Sequence, residues 1–130
     1  MFVLTIRTDK PESEISLYSE GEKIDYYSWE AHRLLAETLN IKIRELLVRN
    51  SKDINDLNGL VVFTGPGSFT GLRIGLSVAN AISFAASVPI IGKNGEKWEE
   101  MGIALLMGGA NDRIILPNYG AEANITLPKK

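Results

Sequence analysis

Between Asp56 and Lys93 the chain carries a single charged side chain, Arg73. This stretch holds a continuous apolar run, Leu60-Val61-Val62-Phe63, then the loop Thr64-Gly65-Pro66-Gly67-Ser68-Phe69, then Leu72 to Ala86 with apolar or small residues on every side. A short apolar run bounded by turn residues fits a strand covered on both faces. Thr70 is placed to cap a helix running to about Ser87. Val88 to Gly92 reads as a further buried strand. A strand, a helix and a second buried strand in that order restrict the chain to an α/β fold with crossover helices.

That helix is unusual for a small protein. A helix lying on a sheet normally turns a charged face to water, and this one has none. A chain of 130 residues is one domain in size and supplies little else to cover it. An apolar surface of this kind usually marks an interface. Gly71, Gly75, Ala79 and Ser83, at spacing four, form a small-residue ridge suited to close packing of two helices. On this reading a Gly75→Glu or Ala79→Glu change breaks association and leaves the lobe folded.

The flanks complete the pattern. Phe2 to Ile6, Glu14 to Tyr18 and Lys23 to Trp29 read as a three-stranded meander, with turns at Asp9 to Glu12 and Glu20 to Glu22. From Glu30 to Arg49 the period becomes helical. Leu35, Leu39, Ile43 and Leu46 follow one face, while Leu34, Ile41 and Val48 follow a second stripe. Two apolar stripes on one helix imply two packing partners. Glu96 to Met107 reads as a third helix. Ile114 to Leu116 and Ala123 to Thr126 read as a closing hairpin. The whole is a mixed five-stranded sheet with crossover helices.

Composition narrows the function. The net charge of −2 argues against a free-standing nucleic-acid binder. The absence of cysteine removes thiolate zinc sites and cysteine nucleophiles. The N-terminus lacks the pattern of a signal peptide. The run from Leu72 to Gly92, broken by Arg73, Asn80 and Pro89, makes a poor membrane span. A cytoplasmic protein is expected, without a membrane partner and without a bound cofactor.

The loop Gly65, Pro66, Gly67, Ser68, Phe69 and Thr70 could present backbone N–H groups to an anion at a helix start. It fits neither generic template, having Thr70 where a dinucleotide fingerprint wants glycine and no lysine for a P-loop. A tight strand-to-helix turn, with Gly71 and Gly75 allowing close packing on a neighbour, accounts for the same residues.

The eleven residues Gly65-Pro66-Gly67-Ser68-Phe69-Thr70-Gly71-Leu72-Arg73-Ile74-Gly75, within Leu57 to Gly92, resemble the signature of the TsaB (YeaZ) family. His32-Arg33-Leu34-Leu35-Ala36 resembles the opening of that family's first long helix. The resemblance extends from residue 1 to about 107. It implies an RNase H-like, actin-like ATPase (ASKHA) lobe over residues 1–109, with 110–130 a tail or hairpin left from a second lobe. It implies a protein without strong catalytic activity. Such a protein pairs through a bundle of its two main helices with the catalytic relative TsaD, or with a second TsaB. With the ATPase TsaE, that complex transfers a threonylcarbamoyl group to adenosine 37 of tRNA, so that tRNA is an indirect partner.

The expected partner-binding residues are therefore Leu35, Leu39 and Ile43 on the first helix, and Gly71, Leu72, Arg73, Gly75, Leu76, Ala79, Ile82 and Ser83 on the second. No catalytic residue and no metal ligand is expected. Where the family opens with an Ile-Asp-Thr-Ser-like turn, this chain has Ile6-Arg7-Thr8-Asp9, which sets a cation where related phosphotransferases place a carboxylate near metal. His32 is the sole histidine, and the residue four further on is Ala36, whereas relatives with metal sites carry a histidine pair at that spacing. Ser68 has no neighbouring base in the sequence. Trp29 and Trp98 read as packing residues, and Glu96, Glu99 and Glu100 as a solvated helix start. Two other functions fit the same fold: an ATP-binding phosphotransferase or ATPase, and a self-associating paralogue without a tRNA role.

Overall fold

The computed structural model describes residues 1–116, the side chain of His32 excepted. Strands β1 (Phe2–Arg7), β2 (Glu12–Ser19) and β3 (Glu22–Glu30) form the expected antiparallel meander. A short 3₁₀ turn, His32–Leu34, leads into α1 (Leu35–Arg49). Then follow β4 (Gly59–Phe63), α2 (Phe69–Ala86), β5 (Ile90–Lys93) and α3 (Trp98–Met107). The sheet order is β3-β2-β1-β4-β5, with β4 parallel to both β1 and β5. This is the mixed five-stranded sheet that the sequence implies.

Alternation along the strands sends side chains to two cores. Leu4, Ile6, Leu60, Val62 and Ile90 face α1 and α2, whereas Val3, Val61, Phe63 and Ile91 face α3. Trp98 closes the second core edge-on to Phe63, with ring centres 5.6 Å apart. Trp29 packs beside the first core and donates its indole N–H to Thr38 Oγ1 at 3.0 Å. Both tryptophans are packing residues, as expected.

The helix-start glutamates are not uniformly solvated. Glu99 accepts hydrogen bonds from the buried Thr5 hydroxyl at 2.7 Å and from Tyr18 Oη at 3.0 Å, with Lys23 Nζ 3.6 Å away. It ties α3 to the sheet. Burial, reinforced by the Glu99 charge, pushes the Tyr18 phenol up. The pattern missed this because residues at the start of a helix can reach a neighbouring strand as readily as water.

At the other edge α1 is fastened to β3. Arg49 donates to both oxygens of Asp25, at 2.9 and 3.0 Å, and the Asn50 amide adds a bond of 2.7 Å. The Arg49 hydrogen bond is the largest cause holding the Asp25 carboxyl down at about 2. Its folded-state pKa lies below the unfolded one, so its contribution is present above the ordinary aspartate range and is lost as pH falls through about 2. Asp25→Asn is expected to lower the thermal midpoint at neutral pH. The deficit should shrink as both proteins are melted at progressively lower pH.

The segment after α3 runs along the outer edge of β5. Asp112 N donates to Ile90 O at 2.8 Å, while the side chains of Asn111 and Asp112 accept from Ile90 N and Gly92 N. An edge strand with unpaired groups invites aggregation, and this segment covers it. Ile114 to Leu116 therefore form no strand, contrary to the hairpin expected. The rest of that hairpin lies outside the described residues.

Candidate docking face and glycine-rich loop

Helices α1 and α2 lie side by side on one face of the sheet. Their inward stripes are the ones the sequence reading assigned to a partner. Leu35, Leu39, Ile43, Leu72, Gly75, Leu76, Ala79, Ile82 and Ser83 are all buried within the chain, and Leu39 and Leu72 have no exposure at all. They are core residues, covered by the chain's own sheet and the neighbouring helix. Of the expected contact set, only Arg73 is exposed and Gly71 partly so.

The glycine ridge is internal too. A β-carbon on Gly71 would run into Thr8 O, and one on Gly75 into Thr8 Oγ1, in each case well inside contact distance. The ridge admits the end of β1, not a foreign helix. Thr8, itself buried, donates its hydroxyl to Gly71 O at 2.8 Å and so locks strand to helix.

The second stripe of α1 behaves oppositely. Leu34, Ile41 and Val48 are 57%, 51% and 64% exposed. Beside them α2 presents Ser77, Ala81, Ala85 and Phe84, the last 87% exposed. A shallow groove between the helices is floored by Ile74 and Val78 and edged by Ala36, Asn40 and Ser77. It continues past Ala81 and Ala85 toward Ile54. Arg73 stands at its rim with its guanidinium 5.2 Å from the Phe69 ring centre. The outer face of the pair thus carries an apolar stripe on α1, bracketed by exposed charges, next to a small-chained face on α2. By length and composition α2 alone among the described helices could cross a membrane, but its Leu72, Leu76 and Ala79 are core residues of the sheet.

The motif loop joins β4 to α2. Gly65 takes φ +104°, open to glycine and strained for other residues. The cap of α2 is Ser68, whose Oγ accepts from Gly71 N at 3.3 Å, and not Thr70, which lies inside the first turn. The loop is pinned to the turn after β1 by a bond of 3.0 Å from Ser68 N to Asp9 O. Phe69 is half-exposed, and Pro66, Gly67 and Thr70 are exposed.

At the end of β1, Arg7 forms a two-pronged ion pair with Asp9, at 2.7 and 3.2 Å, and stacks 4.0 Å over the Phe63 ring. The hydrogen bond to Asp9 is the leading cause that raises the guanidinium pKa further. Its carboxylate partner is thereby engaged inside the chain. Among the described residues no cluster of three or more histidine, cysteine, aspartate or glutamate side chains is placed to hold a metal ion.

A family model described as TsaD, tRNA N6-adenosine threonylcarbamoyltransferase, matches residues 29–95, more than half of the chain. The tRNA threonylcarbamoyladenosine biosynthesis protein TsaB of Escherichia coli is 28% identical over 92 residues, covering 71% of this chain and 39% of that protein. Among solved structures, YeaZ from Pseudomonas aeruginosa superposes with a TM-score of 0.67 at 26% identity, over 72% of this chain and 43% of that one. RuvC of T. thermophilus, solved with a Holliday junction substrate, superposes with a TM-score of 0.52 at 12% identity over 92% of this chain and 85% of that one, a likeness of fold alone. The chain spans well under half the length of the curated relatives it matches. The mixed sheet is accordingly an RNase H-like lobe of the ASKHA type, and the chain belongs to the TsaB (YeaZ) group of the family that the TsaD model describes.

Proposed function

We propose that this chain is a non-catalytic subunit of the machinery that makes threonylcarbamoyladenosine in tRNA. It docks through the outer face of α1 and α2 onto the matching lobe of a TsaD-like protein. One observation carries the reading: Leu34, Ile41 and Val48 stand half or more exposed in a line along α1, opposite a stripe that already satisfies the chain's own core. Medium and large aliphatic groups in a line beside a small-residue helix face are what a helix-pair interface requires. The partner is chosen because relatives of this family carry the names of both a biosynthesis protein and the transferase itself. Arg7 supports the non-catalytic role, since it sets a cation, paired with Asp9, where the resemblance puts the metal-side carboxylate of phosphotransferases of this fold. In this reading TsaE joins the complex, tRNA meets the chain indirectly, and the protein works in the cytoplasm.

Co-expression with the TsaD-like protein of the same organism is expected to give one co-eluting species in size-exclusion chromatography. The pair, with TsaE, should modify tRNA while this chain alone does not. A chain that elutes as a dimer of itself and ignores the TsaD-like protein would replace the partner with a second copy. A chain that stays single in both settings removes the docking role altogether.

A further inference from the structure

β3 is the outer strand of the sheet, nine residues long, with no strand beyond it among the described residues. The opposite edge, at β5, is covered by the segment after α3. A long uncovered edge is a template for another strand. β3 adds apolar bulk to that hazard in Ile24 and Tyr26, 46% and 45% exposed.

The ladder determines which backbone groups of β3 face outward. Ala31 N donates to Pro11 O at 3.1 Å, one step past the pair of Glu12 with Glu30. In an antiparallel pair, residues that exchange bonds with the neighbouring strand alternate with residues that do not. Trp29, Tyr27 and Asp25 therefore bond to β2, opposite Ser13, Ile15 and Leu17. Tyr26 and Ser28 turn their N–H and C=O to the open side.

Both outward groups of Tyr26 are already taken, by side chains. Tyr26 N donates to Asp25 Oδ1 at 2.8 Å, and Arg49 Nη2 donates to Tyr26 O at 3.2 Å. The same Nη2 donates to Asp25 Oδ1 at 3.0 Å, so guanidinium and carboxylate form one closed clasp over the strand edge. Arg49 reaches it from the last turn of α1. The outward groups of Ser28 have no partner among the described residues.

We propose that Arg49 and Asp25 close this edge against strand addition, and that the occupant they exclude is a second copy of this chain. A second copy presents the same β3, and two like edges pair antiparallel about a two-fold axis. With Tyr27 on that axis, Tyr26 of each copy meets Ser28 of the other. The pairing needs the two backbone groups of Tyr26 that the clasp holds. The inference stands apart from the docking proposal, since neither Arg49 nor Asp25 belongs to the outer stripe of α1.

The test begins with hydrogen exchange of the wild-type chain. After correction for intrinsic rates, Tyr26 N–H should exchange about fivefold more slowly than Ser28 N–H. Equal rates mean that the clasp does not protect the edge and overturn the proposal. Sedimentation equilibrium then compares variants in an Ile41→Glu background, which keeps the helix face from contributing. Combined Asp25→Ala and Arg49→Ala should tighten self-association by about tenfold or more, with Ser28 N–H becoming protected. Adding Ser28→Pro removes an outward donor and no bond to β2, and should abolish the gain. Asn50→Ala loses a different bond to Asp25 and leaves Tyr26 capped, so it should not associate more than its parent. Arg49→Met alone frees Tyr26 O and should give about a threefold gain, which keeps the test open if the double variant does not fold. Variants that associate no more than their parent overturn the proposal. So does association that survives Ser28→Pro or that Asn50→Ala reproduces, because general destabilisation would then be the cause.

Discussion

Gly75→Glu is expected to leave no folded lobe, and even Gly75→Ala to lower stability by about 1–3 kcal/mol. The cause is the contact between α2 and the end of β1. A β-carbon on Gly75 meets Thr8 Oγ1, Cβ and Cγ2 together, and these atoms belong to a buried residue whose hydroxyl is held by Gly71 O. Thr8 cannot rotate away without losing that bond, and α2 cannot lift without opening the core at Leu72 and Leu76. Alanine forces a shift, because its β-carbon would stand 2.1 Å from Thr8 Oγ1. Glutamate adds an unpaired charge in a place without water, a penalty of several kcal/mol more. Domains of this size have roughly 5–15 kcal/mol to lose. Chemical denaturation of the alanine variant, and circular dichroism of the glutamate variant, check both figures. A folded Gly75→Glu protein that merely loses a partner would restore the reading in which the glycine ridge is an interface. Ala79→Glu is expected to behave like Gly75→Glu, since Ala79 has no exposure.

That reversal shows where sequence stops being sufficient. The mixed sheet, its sequence of strands and helices and the double coverage of β4 were legible, because the alternation in β2 and the apolar run of β4 each allow one environment. The motif was legible as a strand-to-helix turn. What periodicity does not specify is the identity of the neighbour. A row of small residues on α2 fits a foreign helix or the chain's own Thr8 equally well, and the three-dimensional contact alone decides. On α1, two stripes were visible, and the stripe of Leu35, Leu39 and Ile43 was assigned to the partner while Leu34, Ile41 and Val48 were the ones left outside. A signal was available. Arg33, Glu37, Arg44 and Glu45, all exposed, bracket the outer stripe, whereas the inner one continues into Leu46 and Leu47. Charged neighbours mark the side that meets water before it meets a partner. The bonds of Glu99 to Thr5 and Tyr18 had no such signal, since they join residues on different elements far apart in sequence.

Ile41→Glu, by contrast with Gly75→Glu, is expected to leave the lobe folded and to weaken association by roughly a hundredfold. Ile41 is 51% exposed in the middle of α1, with Leu34 and Val48 one heptad away on either side. In the isolated chain a glutamate there faces solvent, and glutamate is a better helix former than isoleucine, so stability should move by less than about 0.5 kcal/mol. In a helix pair the same carboxylate is enclosed. The interface forfeits the remaining burial of an isoleucine, about 1–2 kcal/mol, and must desolvate a charge besides. The sum is about 3 kcal/mol, which sets the hundredfold figure. Ile41→Ala separates the two parts, since it removes the burial without adding the charge and should weaken association by only about tenfold. Dissociation constants measured by calorimetry against the TsaD-like protein, alongside melting curves of each variant alone, give both readouts. Equal affinity for wild type and Ile41→Glu, with both proteins folded, would mean that the outer stripe of α1 is not where the partner sits.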